Sequence, residues 1–101
     1  MGPLAHERRL AVMDAFIADA TVRGARIEAG GTRIGTQGYF FSPTVITGAA
    51  HDSRLMTEEP FGPVAAIVPF DDLSDAIKRA NSLPYGLSAY GFTTSSRSAL
   101  A

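Results

Sequence analysis

Residues 64–93, with the sequence VAAIVPFDDLSDAIKRANSLPYGLSAYGFT, contain the pattern that decides the fold. The apolar run 64–68 is typical of a strand that is covered on both faces. An apolar stripe at helical spacing follows it: Leu73, Ala76, Ile77 and Ala80. The stretch 87–93 is again rich in strand-forming residues. A strand, a helix and a strand within about thirty residues predict a parallel βαβ unit, and therefore an α/β fold.

Two capping patterns bound the helices of this half. Asp71 or Asp72 can cap the helix at its start, and Asn81 favours its end. Thr94 or Ser95 can cap a further helix, which we expect the end of the sequence at Ala101 to cut. Parallel strands need helices on both faces, and this chain offers too few, so we expect part of a larger domain.

The first half predicts one long helix over 4–23, with Pro3 in its first turn and a stop at Gly24. Its apolar stripe consists of Leu10, Met13, Ile17 and Ala20, with Phe16 beside it. A strand is expected over 25–29. Pro43 divides the β-rich residues 39–46, which favours an edge strand or two short pieces. Residues 51–56 fit one helical turn.

Composition excludes several classes of protein. With 101 residues the chain forms one domain at most. The net charge of −1 gives no basic surface for nucleic acid or an anionic membrane. The absence of cysteine rules out disulfides, thiolate metal sites and a cysteine nucleophile. We predict a cytoplasmic protein, because neither a signal peptide nor a membrane-spanning run of about 18 apolar residues is present.

Three groups of residues resemble sites but are better explained as structure. Gly30, Gly31, Gly35 and Gly38 do not match a phosphate-binding spacing and do not open a helix, so we expect a connecting loop. His6 and His51 have no partner at ligand spacing, so we expect surface residues and no metal site. No serine lies in a Gly-x-Ser-x-Gly elbow.

Residues 56–64, MTEEPFGPV, remain as the candidate site. Pro60 and Pro63 stiffen the chain and are expected to hold it extended, which places Glu59 and Phe61 on the same side. Such a pair can bind a sugar diol through the carboxylate and a flat heterocycle through the ring. The residues alone favour the simpler interpretation, a solvated acidic turn that the phenylalanine anchors.

Four segments, in order, resemble the aldehyde dehydrogenase family. They are residues 1–4 (MGPL) before the long helix, 38–45 (GYFFSPTV), 58–64 (EEPFGPV), and 80–93 with its A-N, Y-G-L-S and F-T elements. The resemblance covers nearly the whole chain. It implies a single fragment, 1–101, of the catalytic domain of an enzyme that oxidises aldehydes with NAD or NADP. Residues 39–41, Pro60 and 83–90 look most like the succinate-semialdehyde and 2-oxoglutarate-semialdehyde subgroups.

The resemblance assigns roles to two residues. In the family, the glutamate that matches Glu59 bonds the nicotinamide ribose, and the phenylalanine that matches Phe61 packs near the nicotinamide. The family's catalytic cysteine, its general-base glutamate and its cofactor domain have no counterpart here. We therefore predict no catalytic residue in this chain, no NAD or NADP bound by the chain alone, and no activity.

A second function stays open beside the inactive enzyme fragment. Uncovered parallel edge strands and an uncovered apolar face predict self-association, so the chain can instead be a non-catalytic interaction module. Isolated nucleotide binding through Glu59 and Phe61 is a weaker third hypothesis, because two contacts cannot offset the cost of ordering the ligand.

Overall fold

The computed structural model describes residues 1–100, which form two compact units, Met1–Val68 and the residues from Pro69 onward. The elements of the first unit are α1 (Glu7–Val22), β1 (Arg26–Ala29), β2 (Thr44–Thr47), α2 (Arg54–Thr57) and β3 (Val64–Ile67). Those of the second unit are α3 (Leu73–Ala80) and α4 (Ser96–Ala99). The mixed α/β class that the sequence predicts is confirmed.

The sheet has three strands in the order β1-β2-β3. β1 and β2 are antiparallel, with a register shift between Ile27 and Ala29. β2 and β3 are parallel, with Thr44 opposite Val64 and Thr47 opposite Ile67. The predicted division at Pro43 is confirmed, since β2 begins at Thr44 and Phe41 forms an isolated bridge with Arg33. An edge position is wrong, because β2 is the central strand. Pro43 fits there because it precedes the first residue of the strand and withholds no donor from the ladder.

The βαβ unit predicted over residues 64–93 is wrong, because other elements form the parallel pair. The parallel pair is β2 and β3, and the connection between them contains the short helix α2. Residues 87–93 form no strand, because a strand exists only where a neighbour accepts and donates its ladder bonds, and Leu87 and Phe92 are fully exposed. Nor is β3 covered on both faces, since Ile67 is 56% exposed.

The core of the first unit lies between α1 and the sheet. The four residues of the predicted α1 stripe are buried, and so is Phe16 beside it: Leu10, Met13, Phe16, Ile17 and Ala20. They pack with Phe41, Ile46 and Leu55. Met13 and Ile46 are completely buried, which makes them the centre of this core.

Helix α1 begins three residues later than predicted. The N-cap is His6, whose ring accepts a bond from the Arg8 amide at 3.2 Å. Pro3 therefore lies outside the first turn, and the N-cap role of His6 was not predicted. The predicted stop is confirmed, since Arg23 is the C-cap and Gly24 adopts a φ of 93°.

The glycine-spaced stretch is a connecting loop, as predicted. Its two sides pair through Ile34 N–H to Phe40 O at 2.9 Å and Ser42 N–H to Thr32 O at 2.9 Å. Gly30 at its entrance has a φ of 72°, and a Cβ there would overlap the carbonyl oxygen of Pro43. Glycine is therefore required at Gly30 for two reasons, the backbone conformation and the close approach of β2.

The second unit consists of two capped helices and extended chain. The Asp72 side chain caps α3 through the Asp75 amide, and Asn81 ends the helix, as predicted. The Ser95 side chain caps α4, also as predicted. α4 ends at Ala99, with Leu100 as its C-cap.

Within residues 1–100, none of the helices combines the length and the apolar character needed to cross a lipid bilayer.

Candidate functional site

The candidate site is the segment Glu58–Pro63, here called the 58–63 turn, which connects α2 to β3. Glu58 is the C-cap of α2, and its amide donates to Arg54 O at 2.9 Å. Thr44 N–H donates to Pro63 O at 2.8 Å. The turn is therefore fixed at one end to a helix and at the other to the central strand.

The backbone of the 58–63 turn is not extended, which corrects the prediction from its two prolines. Phe61 N–H donates to Glu59 O at 3.0 Å, and Val64 N–H donates to Gly62 O at 2.9 Å. Each bond closes a three-residue turn with a proline at its centre, where the fixed φ of proline suits the bend. The alternation of side chains expected for an extended chain therefore does not apply to the 58–63 turn.

Helix α1 holds the middle of the turn. Arg9 donates two bonds to the carbonyl oxygen of Phe61, from Nε at 3.1 Å and from Nη2 at 2.7 Å. Four residues further along α1, the buried Met13 lies where a Cβ of Gly62 would be, so any other residue at this position would have to displace the Met13 side chain. These two contacts hold the backbone of the turn against α1.

The two adjacent glutamates differ in what they bind. Glu58 forms an ion pair with Arg54 at 2.6 Å, and the Arg54 guanidinium lies 5.2 Å from the centre of the buried Phe16 ring. Glu59 is exposed, and among the described residues its carboxylate has no ion-pair or hydrogen-bond partner. Only Glu59 therefore keeps its full acceptor capacity for a ligand.

Phe61 is exposed as well. Its side chain is 70% accessible although its carbonyl is held by Arg9. An aromatic ring that anchored the turn would be buried, so the simpler interpretation of this segment is not supported. An anchored backbone that presents a free carboxylate and a free ring has the acceptor and stacking chemistry expected for a ribose and a flat heterocycle.

Asp19 of α1 fixes the helix from which the turn emerges. Its carboxylate accepts from the Arg54 amide, the first of α2, at 2.8 Å, and from Arg23 at 3.2 Å. Ser53, the N-cap of α2, makes no side-chain cap bond, so Asp19 performs that role from another helix. Mainly the Arg54 amide bond, and then Arg23, lower the pKa of Asp19 below its ordinary range.

We expect this carboxylate to make stability depend on acid. Because the folded protein lowers the pKa of Asp19, its contribution is present above the unfolded value of about 3.9. It is lost as the pH falls through the lower folded value. Urea unfolding of the wild type and of Asp19→Asn should therefore give midpoints that differ at pH 6 and converge towards pH 3. Asp14→Asn, at an exposed carboxylate of the same helix, is the control. A difference between wild type and Asp19→Asn that is unchanged down to pH 2 would contradict the assignment.

Sequence reasoning singled out Glu59 and Phe61 but missed Arg9, Met13 and Asp19. Met13 was expected in the core, and nothing in the sequence shows that it contacts Gly62. Arg9 and Asp19 are single charges on a polar helix face, and 52 and 35 residues separate them from Phe61 and Arg54, their partners. Only the packing of α1 on the turn and on α2 reveals them.

A groove of about 560 Å³ lies within the second unit. Leu73 and Ile77, on the apolar face of α3, line one side of it, together with the aromatic residues Phe70, Tyr90 and Phe92. Within residues 1–100, no cluster of three or more histidine or acidic side chains could hold a metal ion. The polar side-chain groups of the groove are the hydroxyl groups of Tyr90, Thr93 and Ser98, and none of the residues that line it is charged, so the 58–63 turn remains the candidate site.

Comparison with known proteins identifies the class. The model of the aldehyde dehydrogenase family matches residues 1–101, so the chain belongs to the aldehyde dehydrogenase family. The resemblance that the four sequence motifs carry is thereby confirmed.

Three relatives show the extent of the similarity. The 4-(hydroxymethyl)benzenesulfonate dehydrogenase TsaD1 of Comamonas testosteroni is 46% identical over 101 residues, all of this chain and 21% of that protein. A probable succinate-semialdehyde dehydrogenase [NADP(+)] of Sinorhizobium fredii is 42% identical over 93% of this chain and 19% of that protein. The NAD+ complex structure of aldehyde dehydrogenase from Bacillus cereus superimposes with a TM-score of 0.88 at 38% identity, over 96% of this chain and 20% of that one. The chain thus spans about a fifth of the length of its relatives.

Proposed function

We propose that this chain functions as the cofactor-facing part of an NAD(P)-dependent aldehyde dehydrogenase, in which Glu59 and Phe61 contact the cofactor. The observation that carries this proposal is the 58–63 turn. Its backbone is held by Arg9 and Thr44, while the Glu59 carboxylate and the Phe61 ring are free and exposed. The names of two relatives, one with NADP(+) and one with NAD+, support the cofactor class.

In this role the residues bind and orient. The Glu59 carboxylate accepts bonds from two hydroxyl groups of a ribose, which sets the position of the attached ring. The Phe61 side chain packs on the nicotinamide and excludes water from one side of it. The bound cofactor would supply the acceptor for the hydride that leaves the aldehyde. Glu58 takes no part, since Arg54 occupies its carboxylate.

The substrate class is an aldehyde, and a semialdehyde such as succinic semialdehyde is the first candidate. The Sinorhizobium relative, with its semialdehyde name, supports this choice, as do the motifs of residues 39–41 and 83–90. The proposal includes the cytoplasmic location that the sequence predicts.

Alone, the chain is expected to oxidise no aldehyde. The chain contains no cysteine, and the family reaction needs a thiolate that attacks the carbonyl carbon. Purified chain should therefore give no absorbance change at 340 nm with succinic semialdehyde and either NAD or NADP. The Bacillus cereus enzyme, assayed with an aldehyde that it oxidises, is the positive control. Enzyme-dependent turnover by the chain alone would overturn this part of the proposal.

Self-association in a non-catalytic module is the alternative function. It is favoured by large apolar side chains that are exposed, among them Phe70, Leu87, Tyr90 and Phe92. Light scattering over a concentration series separates the two functions. A mass that stays at the monomer value counts against the module, whereas defined oligomers count in its favour.

A further inference from the structure

We infer that Arg9 is a positioning residue for the cofactor contact, although it touches no cofactor itself. Arg9 lies on α1, far from the 58–63 turn in sequence, and its two nitrogen atoms bind one oxygen, that of Phe61, at 3.1 and 2.7 Å. The inference rests on the proposed function of Glu59 and Phe61. It adds a residue to which neither the sequence motifs nor the names of the relatives assign a role.

The carbonyl of Phe61 is the point where the direction of the turn is set. The peptide group between Phe61 and Gly62 lies between the two proline-centred turns. Pro60 and Pro63 have no N–H, so the turn has few donors with which to fix itself. The Glu59 carbonyl accepts from the Phe61 amide, and the Gly62 carbonyl accepts from the amide of Val64, the first residue of β3. The Phe61 carbonyl, by contrast, accepts from a side chain of another helix.

A guanidinium group suits this task. Two N–H groups that converge on one carbonyl oxygen restrict the orientation of the peptide group as well as its position. The positive charge of the guanidinium group strengthens each bond. In the described part of the chain Arg9 has no carboxylate partner that would compete for these donors. Fixing the Phe61 peptide also fixes the Cα–Cβ direction of Phe61 and, through the turn closed by its amide, the position of Glu59.

Met13 packs against the turn independently of the hydrogen bonds from Arg9. It lies four residues after Arg9, on the same face of α1, and packs against Gly62. If Arg9 loses its donors, the Met13 contact still holds the turn against the core, so the protein stays folded. We therefore expect the loss of Arg9 to leave the turn in place but free to rotate about its ends.

The test uses a graft in which residues 1–100 replace the matching segment of the Bacillus cereus aldehyde dehydrogenase. Arg9→Met keeps the apolar stem and removes the donors. It should raise the KM for NAD about five- to tenfold, with kcat changed less than twofold and the thermal midpoint within about 2 °C. Arg9→Lys should recover part of the loss. Arg8→Met is the matched control, since the Arg8 side chain is exposed and its hydrogen bond among the described residues is to His6.

The outcomes distinguish this inference from the proposed function. If Glu59→Ala weakens NAD in the graft but Arg9→Met behaves like Arg8→Met, the role of Arg9 is wrong and the proposed function stands. If Glu59→Ala also has no effect, the proposed function itself fails, and the inference fails with it.

A second measurement on the 101-residue chain decides the matter where the grafted variant does not fold. The chain contains no tryptophan, so Phe61→Trp introduces a single fluorophore at the turn. Adding Arg9→Met should lower the fluorescence anisotropy of this tryptophan, whereas adding Arg8→Met should not. An anisotropy that Arg9→Met leaves unchanged would overturn the inference.

Discussion

Replacing Gly30 with alanine should destabilise the chain by about 2–5 kcal/mol. This is the sum of about 1–2 kcal/mol for a left-handed backbone at alanine and about 1–3 kcal/mol for overpacking. Gly30 has a φ of 72°, and its Cβ would overlap the Pro43 carbonyl and lie 2.8 Å from Thr44 Oγ1. Neither neighbour can move freely, because Pro43 leads into the central strand and Thr44 is 2% exposed. Against a typical stability of about 5–15 kcal/mol, a loss of this size removes a large share of the free energy of unfolding.

Gly35→Ala is the matched control. Gly35 has a φ of 67°, but nothing lies within 4 Å of the added Cβ. Alanine there should cost only the backbone strain, about 1–2 kcal/mol. Urea unfolding followed by circular dichroism measures both variants. Equal losses for the two would show that the close approach of β2 to Gly30 is not a constraint.

The mixed α/β class and the core face of α1 were predictable from the sequence. Local patterns carry this information, because Leu10, Met13 and Ile17 repeat at the helical period, and Asp72 and Ser95 are strong N-caps. The partners of the strands were not predictable in the same way. Strand pairing depends on contacts between distant residues, and a β-rich stretch such as 87–93 becomes a strand only where a neighbour pairs with it.

The candidate site, too, was predictable only in part. The motif points to Glu59 and Phe61, and in the structure both are exposed. The sequence did not reveal that the prolines bend the turn, because proline fixes its own φ but leaves its ψ open. The support from Arg9 was equally hidden, since an arginine on a helix is usually a solvated charge.

The second large effect is expected at Glu59, in the graft on the Bacillus cereus enzyme. Removing a carboxylate that accepts bonds from the ribose costs about 1.5–3 kcal/mol, which corresponds to about a 10- to 100-fold loss in kcat/KM for NAD. Glu58→Ala removes an identical side chain one position earlier. It should change this ratio less than twofold, because the half-exposed ion pair with Arg54 contributes at most about 1 kcal/mol to stability.

The comparison of these two variants tests the central claim, that the 58–63 turn contacts the cofactor through Glu59 and not through Glu58. The measurement is kcat/KM for NAD of the graft with Glu59→Ala and with Glu58→Ala, at a saturating concentration of the aldehyde. We expect at least a tenfold difference between them, with the loss confined to Glu59→Ala. Equal values for the two variants, or a larger loss in Glu58→Ala, would contradict the account.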